Sequence, residues 1–172
     1  KYFEEISKIP RGSGNEKEIS DYLASEGKRL NLEVIQDNAL NVIIKKPASP
    51  GYENAPAVIL QGHMDMVCEK NADTVHDFDK DPIKPYIDGE WVKAKGTTLG
   101  ADDGIGIAAA LAVLTDENIQ HGPLECLFTV DEETGLTGAF ALQPGFFQGK
   151  ILLNLDSEDE GEIFIGCAGG ID

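Results

Sequence analysis

Apolar residues along this chain follow two different spacings. Over residues 15–30, Ile19, Leu23 and Leu30 fall on one face at helical intervals, which predicts an amphipathic helix. Ser13 and Glu16 stand ahead of it at the S-x-x-E spacing of a capping box. Two β-branched stretches follow, 32–35 and 41–45, with Asp37 and Asn38 between them as turn formers, so an edge hairpin is predicted. Residues 57–60 (AVIL) are continuously apolar, as in a strand buried on both faces of a parallel sheet, and run straight into Gln61-Gly62-His63-Met64-Asp65. A second such strand, 124–130, runs into Asp131-Glu132-Glu133-Thr134-Gly135, and a third, 150–155, into Asp156-Ser157-Glu158. Between the first two lie a hairpin turning at Asp88-Gly89 (86–93) and an apolar helix, 104–114. A short helix over 136–142 separates the second from the third.

Strands alternating with helices predict an α/β fold: a mainly parallel, mixed sheet flanked by helices. Parallel strands bring their carboxyl ends to one edge, where ligands bind in open α/β sheets. That edge would carry His63, Asp65, Glu132, Glu133 and Asp156. The helix over 104–114 starts where its loop returns to the sheet, which can add Asp102 and Asp103. One imidazole and six carboxylates then converge.

Charge narrows the partners. The 172 residues hold 14 Lys plus Arg against 31 Asp plus Glu, a formal charge of -17, which disfavours nucleic acid and anionic membranes. Cys68, Cys126 and Cys167 are odd in number and contain no C-x-x-C pair, so a disulfide framework or thiolate zinc knuckle is not expected, and a reducing cytoplasm fits. The longest apolar run, 105–114, is half of the roughly 20 residues that a membrane crossing needs. No signal peptide is recognisable, and a chain that starts at Lys1 is expected to have lost its beginning.

Two carboxylates about 4 Å apart repel by about 4 kcal/mol at an effective dielectric of ~20, so gathered acids call for protons or cations. No Lys or Arg lies in the three strand-end motifs. Protonation would relieve the repulsion. An oxygen-rich site with one imidazole also suits zinc, manganese or cobalt, and a shared carboxylate lets two ions sit about 3.5–4 Å apart. A dinuclear site is the expectation. Two positions apart on an extended strand, His63 and Asp65 point the same way, so Asp65 can orient the imidazole. Glu132 and Glu133 point apart, so one can bind metal while the other serves as general base.

The motifs Gln61-Gly62-His63-Met64-Asp65, Leu99-Gly100-Ala101-Asp102-Asp103-Gly104, Asp131-Glu132-Glu133-Thr134-Gly135 and Asn154-Leu155-Asp156-Ser157-Glu158 resemble, in order, those of the dizinc peptidase family that includes carboxypeptidase G, aminoacylase and carnosinase. Thr74-Val75-His76-Asp77-Phe78, Asp81-Pro82-Ile83, the stretch from Tyr86 to Ala94, Gly96-Thr97-Thr98-Leu99-Gly100 and the run 161–172 are similar to its aminoacyl-histidine dipeptidase branch. The resemblance implies that His63 and Asp156 bind one of two zinc ions, that Asp102 bridges both, and that Glu133 binds the second, with manganese or cobalt as substitutes. It implies that Asp65 clamps His63, and that Glu132 takes a proton from a metal-bridging water and passes it to the departing amine. A cis peptide between Asp102 and Asp103 belongs to the same pattern. The implied activity is hydrolysis of unblocked dipeptides, Xaa-His included, in the cytoplasm, by a protein that can form a homodimer at full length. A tripeptidase, an N-acyl amino acid hydrolase and an inactive fragment are the alternatives.

The family adds a late histidine to the second metal and inserts a lid domain over the cleft, and neither falls within these residues. The expectation is therefore that 1–172 is the N-terminal part of the catalytic domain, incomplete at its C-terminal side, and inactive alone. His76 and His121 could be nominated for the missing ligand, but both sit in polar loops. Residues 156–167 imitate a calcium loop, yet Cys167 stands where a bidentate Glu is required. Glu158, Asp159 and Glu160 read as exposed charge. Gly104-Ile105-Gly106-Ile107-Ala108-Ala109 fits G-x-G-x-x-A, but Asp102 and Asp103 would repel a pyrophosphate. Its small residues are expected to let the helix approach the sheet, and Cys68 to be a buried, inert thiol.

Overall fold

The computed structural model describes residues 1–157 and 161–166. In chain order the elements are α1 (Tyr2–Ile6), α2 (Lys17–Arg29), β1 (Glu33–Gln36), β2 (Val42–Lys46), β3 (Val58–His63), β4 (Pro85–Asp88), β5 (Trp91–Ala94), α3 (Ala101–Thr115), β6 (Leu124–Thr129), α4 (Glu132–Gly135), α5 (Thr137–Ala141) and β7 (Ile151–Asn154). Among the described residues five strands form one sheet in the order β1-β2-β6-β3-β7, while β4 and β5 form a separate hairpin. β1 with β2 and β2 with β6 are antiparallel; β3 is parallel to both β6 and β7. The α/β class and the mixed sheet are those the sequence predicts.

Alternation along the strands separates two apolar layers. Val42 and Ile44 of β2, Leu60 of β3, and Cys126 and Phe128 of β6 pack with Ile19 and Leu23 of α2, Ile107 and Leu111 of α3, and Ile6 of α1. On the other face Ile43, Ile59 and Leu127 meet Leu142, Phe146 and Phe147. β6 is buried at every position, Glu125 and Thr129 included, as a central strand covered on both faces. β7 departs from expectation. Its register against β3 is set, Val58 opposite Ile151 through Gln61 opposite Asn154, but it is an outer strand and Ile151, Leu152 and Leu153 are about half exposed. An apolar run reports burial only where something lies on both sides of it.

The predicted helix over 104–114 is the regular part of α3. Ahead of it Asp102 and Asp103 depart from helical backbone, and the peptide bond between them is cis. The close approach of α3 to β3 is made by Gly62, where a Cβ would run into the Asp103 carboxyl, and Gly104 instead faces Phe3 and Ile6 of α1. The short helix expected over 136–142 is α5; the single turn of α4 precedes it, and the two are joined at Leu136 in the left-handed region. Glu158, Asp159, Glu160 and Cys167 lie outside the described residues, so the exposed-charge and calcium-loop readings are not addressed there. No helix among the described residues is long and apolar enough to cross a membrane.

Candidate metal centre

His63 is the last residue of β3 and is 1% exposed. Its Nε2 lies 2.8 Å from Asp102 Oδ1, 3.6 Å from Asp156 Oδ1 and 3.9 Å from Glu132 Oε2. Nδ1 faces the Asp65 carboxylate at 3.3 Å and the Asp65 carbonyl at 3.1 Å. Three elements supply these groups: the end of β3, the start of α3 and the turn after β6, with the loop after β7 adding Asp156. This is the edge predicted from the strand order.

Asp65, wholly buried, organises that edge. Its carboxylate accepts the backbone N–H groups of Glu132 at 3.0 Å and Glu133 at 3.1 Å, and the Ser13 hydroxyl at 2.8 Å. The first turn of α4 has free N–H groups, and a buried carboxylate satisfies two of them while drawing that turn onto β3. Behind it Glu16 accepts the Asp131 N–H at 3.0 Å, and the Asp131 carboxylate accepts the hydroxyls of Thr134 and Thr137. Ser13 and Glu16 therefore form no capping box: α2 has no side-chain cap, and both residues are recruited to the site. Glu16, Asp65 and Asp131 form a second group of converging donors, but their oxygens are engaged by these N–H and O–H groups.

The electrostatics follow from burial and sign. Burial alone would lower the His63 ring, but Asp156, Asp65 and Asp102 outweigh it and hold the ring at about 11. Burial would raise Asp65, yet its bonds from His63, Glu132, Ser13 and Glu133 bring it to about 2. Burial, then Asp156, pushes Asp103 up to about 7. Glu132 and Glu133 are raised, mainly by burial; Asp102 adds at Glu133, and at Glu132 Asp156 adds against the opposing charge of His63. A field strong enough to keep a proton on a buried ring favours any cation with access to it. His63, Asp102 and Asp156 offer one nitrogen and two oxygens all within 4.8 Å of one another, a hard and borderline donor set that suits zinc, manganese or cobalt. The residues present fit such an ion.

Of the other sequence candidates, Glu132 turns toward His63, while Glu133 lies outside the three-residue group and is coupled to it through Asp102. Asp103 turns away into the interior, where Oδ1 accepts the Gly106 N–H at 3.1 Å and Oδ2 is unpartnered. His76 stacks edge-on against Phe78, and His121 sits before β6, at the opposite end of the strand from Glu132; neither joins the group. Cys68 is exposed, contrary to expectation, because the loop that carries it runs along the surface; its thiol donates to the Met66 carbonyl and is raised, mainly by partial burial of the sulfur. Ser13, Glu16 and Arg11 are site neighbours that the sequence did not assign to the site. Only Ser13 and Glu16 carried a signal, and it pointed to a helix cap.

The fold and this donor cluster define a mixed α/β framework with a candidate metal centre at one edge of its sheet. Residues 59–166 match the model of peptidase family M20/M25/M40, and the chain belongs to that family. Among its relatives is the cytosol non-specific dipeptidase of Escherichia coli (strain K12), 58% identical over 170 residues that make up 99% of this chain and 35% of that protein. The crystal structure of the aminoacylhistidine dipeptidase from Vibrio alginolyticus superposes with a TM-score of 0.94 at 55% identity, over 96% of this chain and 34% of that one. A tripeptidase from Staphylococcus aureus superposes at 0.77 with 27% identity, over 92% and 42%. The chain spans about a third of the length of the two dipeptidases.

Proposed function

We propose that residues 1–172 are the N-terminal part of the catalytic domain of a cytosolic dipeptidase that uses two divalent ions, zinc in the first instance, to hydrolyse unblocked dipeptides, Xaa-His substrates included. The observation that carries this is the gathering of Asp102, Asp156 and Glu132 within 3.9 Å of one buried imidazole nitrogen. The family membership and the names of the similar dipeptidases support the substrate class. His63 and Asp156 would hold one ion, Asp102 would be shared, and Glu133 would hold the second. When bound, such ions supply Lewis-acid polarisation of the scissile carbonyl and acidify the attacking water.

The chain's own residues do the rest. Asp65 anchors His63 through Nδ1, which leaves Nε2 facing the cleft. The same carboxylate fixes the backbone of Glu132 and Glu133, so that their side chains leave α4 from a defined position. Burial lifts Glu132 above an ordinary glutamate, which makes it a better proton acceptor near neutrality. Glu132 would take the proton of the attacking water and return it to the departing amine nitrogen. In the whole protein, Glu132→Ala is expected to lower dipeptide turnover by roughly 10²–10⁴-fold with the metal content unchanged. Loss of metal together with turnover would make Glu132 a ligand instead of the base.

A further inference from the structure

One buried charge has no part in that chemistry. Arg11, between α1 and α2, is 2% exposed, and among the described residues its guanidinium donates only to backbone carbonyls. Nη1 reaches the carbonyls of Met64 at 2.9 Å and Asp65 at 3.0 Å, and Nη2 donates to the carbonyl of Gly100. The Arg11 carbonyl accepts the Met66 N–H at 3.1 Å, so main chain and side chain are both tied to the loop after β3. Met64 and Asp65 directly follow His63, and Gly100 stands two residues before Asp102. The side chains carried by these two segments, His63 and Asp102, meet at 2.8 Å.

The surroundings are shaped to the guanidinium. A Cβ on Gly100 would lie 2.6 Å from Nη2, and one on Gly104 would lie 2.7 Å from it. These glycines flank the Asp102-Asp103 pair and leave the space the planar group fills. A lysine would keep the charge, but its donors radiate from one atom and do not form a flat fork that serves two loops at once.

We propose that Arg11 is a positioning residue that sets the separation of His63 and Asp102 by tying the loop after β3 to the start of α3, and so fixes the geometry of the metal centre. The inference rests on the reading of that centre as a dipeptidase site. Buried at 2% exposure and bonded to main-chain carbonyls, Arg11 acts through the two segments it ties together.

The test uses the whole protein loaded with cobalt(II), whose visible absorption reports coordination geometry, together with kcat and KM for a dipeptide and circular dichroism for folding. Arg11→Lys is expected to shift the cobalt spectrum and lower kcat by roughly 10- to 100-fold, while KM stays within about threefold. Gly104→Ala leaves Arg11 in place but crowds its guanidinium, and alanine favours helix; it is expected to move the spectrum and kcat in the same sense. If Arg11→Lys does not fold, Gly104→Ala decides on the same readouts. A folded variant with the wild-type spectrum and kcat overturns the proposal. Wild-type protein that binds cobalt and cleaves dipeptide beside such a variant confines the failure to Arg11. Wild-type protein that does neither overturns the dipeptidase reading and this inference with it.

Discussion

Asp65 shows how one side chain can join stability to chemistry. It accepts two α4 N–H groups and a hydroxyl while facing His63. Asp65→Asn puts an amide NH2 against those donors, at a cost of about 2–4 kcal/mol. Because the folded value of about 2 lies below the ~3.9 of an unfolded aspartate, the unfolded chain binds more protons between those values. The stabilisation is therefore complete above about pH 4 and is lost as the pH falls toward 2. In metal-free protein, urea midpoints measured from pH 5 down to pH 2.5 are expected to drop more steeply for wild type than for Asp65→Asn; equal slopes would remove Asp65 from this role. His63 and Asp65 were legible as a pair from their spacing of two, although β3 ends at His63 and the chain bends at Met64 before Asp65 turns to the ring. Ser13 and Glu16 were misread because S-x-x-E serves a local cap and a distant carboxylate equally well. Arg11 lies in no periodic pattern, so only its burial identifies it.

At the scale of elements, β6 and the segment leading to β7 are coupled by a buried carboxylate. Glu125, within β6, accepts the N–H of Gln148 at 3.0 Å and of Gly149 at 2.8 Å. Glu125→Ala leaves both donors without their partner in a part-buried place, which costs on the order of 1–3 kcal/mol, whereas Glu125→Gln keeps an acceptor oxygen and costs less. Thermal melts of the two variants check this, and equal losses would contradict it. Because this segment feeds β7 and then Asp156, Glu125→Ala is also expected to weaken metal binding. The strands were readable from the sequence where their apolar runs are buried, as in β3 and β6. β7 reads the same way yet lies at the edge, since a run of Ile and Leu does not say what will cover it. The break between α4 and α5 at Leu136 depends on a left-handed backbone at a residue type that gives no warning of it.

For the whole molecule, the sheet presents a partly exposed apolar β7, and the chain spans about a third of the dipeptidases it matches. Among the described residues no strand pairs with the outer edge of β7, and an open edge beside exposed Ile and Leu invites association. The 172 residues alone are expected to hydrolyse no dipeptide, and to self-associate in sedimentation. Zinc-dependent turnover by the isolated chain would contradict the division proposed here. The organisation of the site was legible at this scale because parallel strands collect their ends on one edge, whatever the details of the loops. The central claim, that one imidazole and the surrounding carboxylates exist to hold paired cations, is tested most directly by metal analysis of the whole protein after dialysis. Two divalent ions per wild-type chain, and loss of both in Asp102→Ala, are the expected result. Trace metal in the wild type, or a full complement in Asp102→Ala, would contradict it.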